Sequence, residues 1–189
     1  MNPIHRRRSL ASALLLALPL CAASLGAQGY TIQTDTVLIT WSDGIRTRMD
    51  VHYPTAAAPS RGWPGVLCSH GSGGNRGRIG VMAKHLARQG YMAFAYDIRP
   101  FGVTSTILNP PTFDASQERR VLDGAESFFL MENLYGTKFD YENLAAVGRS
   151  MGGGISLKLA AQGKKPAKSP KTPRTIQVAA PTKSRLTLQ

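Results

Sequence analysis

Gly148, Ser150 and Gly152 stand at alternate positions in the run Gly148-Arg149-Ser150-Met151-Gly152. That spacing suits a serine held as a nucleophile. A glycine two residues to either side lets the incoming chain and the outgoing helix approach with no Cβ between them. The turn is sharp, strains the backbone at the serine, and lifts its hydroxyl clear. The Met151 amide then opens the helix and faces the oxygen of an attacked carbonyl, as an oxyanion donor. So short a pattern is common by chance, and its context must decide. Here "NLAAVGRS" (143–150) is an apolar strand running into the serine, and "MGGGISLKLAAQG" (151–163) is a helical stretch leaving it. A second element, "HGSGGN" (70–75), follows another apolar strand. Its glycine-rich turn leaves backbone amides free. Ser72 N–H is the expected second oxyanion donor, with Gly73 as the alternative.

The rest of the chain must position these two turns. "TDTVLITW" and "IRTRMDVHYP" read as two strands around Asp43-Gly44, a strong hairpin signal. "PGVLCSHG" (64–71) and "YMAFAYDIRP" (91–100) are short apolar runs, as expected of strands buried on both faces. Helices are expected over 79–90 and 115–136, each closed by a glycine. Residues 104–114 read as a loop. The order is a hairpin, then three strand–helix pairs. It predicts an α/β fold with parallel strands and helices on both faces. Cys68 reads as a small buried residue within a strand.

These stretches resemble the N-terminal part of an α/β-hydrolase. "SHGSGGN", "YDIRPFG" and "GRSMGGG" are similar to secreted members near the dienelactone hydrolases, polyester-hydrolase-like esterases and acyl-peptidase-like enzymes. The resemblance covers residues 31–162 and implies a sheet of about eight strands, of which five or six are present. It implies a serine esterase working through an acyl-enzyme, with Ser150 as nucleophile and the Met151 and Ser72 amides as the oxyanion hole. Small-molecule or polymeric esters are the implied substrates.

In that family an acid and then a histidine follow the serine. The 39 residues after Ser150 contain no Asp, Glu or His. His5 lies near the N-terminus, His52 in the hairpin and His85 in mid-helix; His70 is nearest, but that position usually shapes the oxyanion loop. Asp97 and Arg99, ending a strand on the catalytic side, are expected to form a buried pair or line a pocket. The chain as written is therefore expected to be inactive or nearly so. The alternatives are a non-catalytic exported binding protein, a pseudoenzyme remnant, or a histidine donated in trans.

The net charge of +12 over 189 residues belongs to the chain ends. Arg6, Arg7, Arg8 and seven basic residues after Gln162 supply it, and 28–162 balances 13 basic residues against all 11 acids. No nucleic-acid partner is expected. Residues 1–27 read as a signal peptide, with a basic start, the apolar run "LASALLLALPL" and small residues before a cleavage point. That run is too short for a stable membrane span. The expected setting is periplasmic or extracellular, by the general or the twin-arginine route. Residues 163–189 form a basic, proline-rich tail, expected to be disordered or frameshifted. Its "TIQVAA" (175–180) could add a short strand, perhaps the next one beyond the serine strand. No cofactor or metal is expected, because no His, Cys and carboxylate cluster has ligand spacing.

Overall fold

The computed structural model describes residues 29–104, 108–162 and 177–178. The proposed leader and most of the tail lie outside the described residues. Chain order is β1 (Ile32–Thr40), β2 (Arg46–Pro54), β3 (Trp63–Ser69), α1 (Arg76–Arg88), β4 (Met92–Tyr96), α2 (Gln117–Tyr135), β5 (Phe139–Gly148), α3 (Met151–Ala161) and β6 (Gln177–Val178).

The hairpin forms in register from Ile32↔Pro54 to Thr40↔Arg46. Its turn is closed by Trp41 N–H to Ile45 O and Gly44 N–H to Trp41 O. Strand order in the sheet is β5-β3-β4-β2-β1-β6. β3, β4 and β5 run parallel, while β2 joins β4 antiparallel. The sheet is therefore mixed, with the parallel part confined to the strands that carry the site. β6 pairs antiparallel with β1 through Val37↔Val178 and Leu38↔Gln177. The short tail strand thus sits at the far edge, not beside the serine strand as the sequence suggested. Among the described strands β5 is the other edge. The open ladder of β1, rather than that of β5, is what those two residues meet.

Alternation along β3 and β4 sorts side chains by size. Val66, Cys68, Ala93 and Ala95 join Ile79 and Ala83 of α1 on one face. Leu67, Met92, Phe94 and Tyr96 join Val121 and Phe128 of α2 and Ile155 of α3 on the other. Small side chains let α1 lie close, and large ones fill the deeper side under two helices. Cys68 is fully buried, as expected, and burial pushes its thiol up to about 12.

Helix α1 starts three residues before the expected point. The Asn75 side chain caps it by accepting from Arg78 N–H at 3.1 Å. Helix α2 is capped by Ser116, which accepts from Arg119 N–H at 3.2 Å.

Arg99 ties hairpin to helix. Its guanidinium is fully buried. Nε and Nη2 donate to the two Asp123 oxygens at 2.6 and 2.9 Å. Nη1 donates to Asp43 Oδ2 at 2.6 Å. Burial works against its charge, but Asp43 and Asp123 outweigh that and raise its pKa. Asp97 pairs instead with Arg76, at 2.6 Å. The expectation for Asp97 and Arg99 is thus corrected: both are buried in ion pairs, but with different partners. Arg99→Met leaves Asp123 partly unpaired in the core and is expected to cost about 3–5 kcal/mol. The measurement is the urea midpoint, which should fall with little change in slope.

His52 is buried on β2, with Nδ1 2.7 Å from Thr34 Oγ1. Burial, helped by Lys84 and opposed by Asp50, lowers its pKa from 6.5 to about 4. The unfolded chain therefore binds the proton first. Stability from this residue is complete above pH 6.5 and is lost as pH falls towards 4. The full loss is about 3 kcal/mol. Denaturant midpoints followed across that window should fall, and His52→Gln should flatten the profile.

Candidate active site

β5 ends at Gly148 and α3 begins at Met151, so strand becomes helix across two residues. Ser150 takes the strain with φ 52°, the one positive φ outside glycine among the described residues. The reason is crowding. A Cβ on Gly152 would lie 2.1 Å from the Ser69 carbonyl oxygen, and one on Gly148 would lie 2.3 Å from the Gly152 carbonyl carbon. Arg149 N–H donates to that same Ser69 oxygen at 3.1 Å, binding the turn to the end of β3. Gly152 N–H donates to Arg149 O, and Gly154 N–H to Ser150 O. The Met151 amide, first in its helix, has no backbone acceptor among the described residues. The Met151 side chain packs against the core beneath α2 and α3.

The second turn lies after β3. Gly74 N–H donates to Gly71 O at 3.0 Å, and Gly73 between them has φ 70°. Ser72 and Ser150 line one cavity of about 110 Å³; Gly73 does not reach it. Of the two candidate amide donors, only Ser72 belongs to a cavity-lining residue. Arg78, Arg149 and His70 line it too. Sequence reasoning did not single out Arg78 or Arg149, although each adjoins a stretch it did. Their ordinary appearance as surface arginines carried no signal.

His70 is nearest to Ser150 among the expected candidates, and its ring is fully engaged. Ile98 N–H donates to Nε2 at 2.9 Å, so Nε2 is the unprotonated acceptor. Nδ1 then carries the proton and donates to Gly71 O at 2.8 Å. Burial lowers its pKa, against the Gly71 bond and Asp97, so it stays neutral. The histidine holds the glycine turn to the end of β4. His52 is on the hairpin and His85 is exposed on α1, and neither lines the cavity. No carboxylate lines it either. Among the described residues no three His, Cys, Asp or Glu side chains group as metal ligands. No helix among them is long and apolar enough to cross a membrane.

A family model described as serine aminopeptidase, S33, matches residues 64–183. It spans both turns and the three parallel strands. Solved structures match as well. A hypothetical protein from Pseudomonas aeruginosa is 18% identical, with TM-score 0.60 over 83% of this chain and 45% of its own. An acetyl xylan esterase from Paenibacillus sp. R4 is 19% identical, with TM-score 0.57 over 78% of this chain and 48% of its own. A dienelactone hydrolase-like promiscuous phosphotriesterase from metagenomic libraries is 22% identical, with TM-score 0.52 over 71% and 56%. These likenesses show an α/β-hydrolase fold, and the chain spans about half the length of each of these proteins. No curated protein matches the sequence.

The glycines of the turn separate by what surrounds them. Gly152→Ala would press a methyl into the Ser69 backbone and is expected to cost several kcal/mol, or to abolish cooperative unfolding. Two residues on, a Cβ at Gly154 would meet only the Gln117 side chain, at 3.6 Å. Gly154→Ala is expected to gain up to about 1 kcal/mol from helix propensity. Thermal unfolding of the two variants checks the contrast.

Proposed function

The chain belongs to the serine aminopeptidase, S33, family of hydrolases, and from that premise we propose that Ser150 is the nucleophile of ester hydrolysis through an acyl-enzyme. The observation that carries this is the strained Ser150, with φ 52°, at a turn that admits no Cβ at Gly148 or Gly152. Such strain persists only where surrounding structure enforces it. Ser150 Oγ bonds to the acyl carbon and loses its proton to a base. The tetrahedral oxyanion collapses and the ester C–O bond breaks, releasing the alcohol. Water then cleaves the acyl-serine. The Met151 and Ser72 amides are the donors to the oxyanion.

The proton acceptor is the step this chain does not supply. His70 holds its proton on Nδ1 and accepts a backbone bond at Nε2, and His52 and His85 lie away from the cavity. The 189-residue chain is thus a site with nucleophile and oxyanion amides but without its base, and alone it turns over esters slowly. Well-formed serine hydrolases that lack a triad member retain roughly 10³–10⁴-fold catalysis over water. The leader read in residues 1–27 supports an exported setting, periplasmic or extracellular.

A fluorophosphonate probe with peptide mass spectrometry tests the reading. Slow labelling is expected at Ser150, lost in Ser150→Ala and accelerated by millimolar imidazole as a substitute base. Labelling elsewhere would refute the nucleophile. No labelling of the folded chain at any imidazole concentration would assign the cavity to binding instead of catalysis.

A further inference from the structure

The cavity beside Ser150 is walled by two arginines and no acid. Arg78 stands in the first turn of α1, and Arg149 immediately precedes Ser150. Elsewhere in this fold the arginines nearest the core are matched: Arg76 to Asp50 and Asp97, Arg99 to Asp43 and Asp123, Arg119 to Asp43, Asp123 and Glu126. The Arg78 and Arg149 guanidiniums have no carboxylate or other side-chain partner among the described residues. The first turns of α1 and α3 also carry no acid. Positive charge is therefore gathered around the serine and left uncompensated there, while the described fold as a whole neutralises its buried charge.

We propose that this site takes esters carrying a compact anionic group, a carboxylate or a phosphate, within a few bonds of the scissile carbonyl, and that Arg78 and Arg149 hold that group. The inference rests on reading Ser150 as the nucleophile. A guanidinium presents a planar fork of donors that matches either oxyanion. Cavity size sets the reach. About 110 Å³ is far below the roughly 300–1,000 Å³ of sites that enclose a drug-sized ligand. The anion must then sit close to the reacting bond, and a long neutral acyl chain gains little from this wall. Because both arginines are exposed, their pull is screened by salt.

Two measurements on the full 189-residue chain test this separately from the nucleophile. In the first, monomethyl succinate, methyl phosphate and neutral dimethyl succinate are titrated into isotope-labelled protein, and amide shifts in the Gly71–Gly74 and Arg149–Met151 turns are followed. This needs no reactivity at Ser150. Either anion is expected to bind on the order of tenfold more tightly than the diester at low salt. Arg78→Gln with Arg149→Gln is expected to remove that preference, and Arg78→Glu to reverse it; the exposed positions leave the fold intact. Whichever anion binds more tightly identifies the group. Equal binding of diester and anions, or a preference that survives both substitutions, would overturn the proposal.

In the second, a carboxylate-bearing phosphonate and a neutral one of equal size compete for Ser150. Their labelling ratio should favour the anion about tenfold and fall towards one in the double variant. Anion binding with no labelling by either probe keeps the subsite and removes the nucleophile. Labelling that is indifferent to charge keeps the nucleophile and removes the subsite.

Discussion

Three backbones meet at the Ser69 carbonyl. It ends β3, accepts the Arg149 amide at 3.1 Å, and lies where a Gly152 side chain would have to be. This approach brings the end of β5 and the start of α3 onto β3 with no side chain between them. It forces the positive φ at Ser150, frees the Met151 amide at the helix start and sets Ser150 beside the turn after β3. Any Cβ in that contact would separate strand from helix and dissolve the cavity. The size-sorted faces of β3 and β4 serve the same end, because they hold α1 and α3 against opposite sides of the strands that carry the two turns.

Charge in this chain is distributed by depth. Beneath the hairpin, Arg99 and Arg119 are matched against Asp43, Asp123 and Glu126, with Ser42 bonded to Glu126 as well. Burial leaves little alternative, since an unpaired ion there would cost several kcal/mol. At the cavity the arginines face solvent, where an unmatched cation is cheap. The same contrast explains the histidines. His52 and His70 are buried, neutral and used up by structural bonds, which disqualifies them as bases however close they lie in sequence to the serine motif.

Much of the fold was legible because its signals are local. Apolar runs of strand length, the Asp43-Gly44 turn and glycine stops after the helices are decided within a few residues of themselves. The start of α1 was less so: Gly77 and the neighbouring arginines hid its first turn, and only the Asn75 cap marks it. Pairing was not legible at all for the tail strand. Nothing in Gln177–Val178 says which edge it joins, since an edge offers the same backbone groups wherever it is. Asp97 and Arg99 were read as one unit because they are two apart in sequence. Neighbours on a strand end point to different faces, and so they found Arg76 and Asp123 instead.

By itself the sequence determined the α/β alternation, the serine between two glycines, the glycine-rich turn upstream, and the lack of any acid or histidine after Ser150. These follow from residue type and spacing, which act over one turn or one strand. Only the tertiary structure decided which amide donor shares a cavity with Ser150, which tautomer His70 holds, and that Arg78 and Arg149 flank the serine. Those facts depend on segments more than seventy residues apart being brought to one end of a sheet. No local pattern carries that information, because it is created by the packing of β3 against β5.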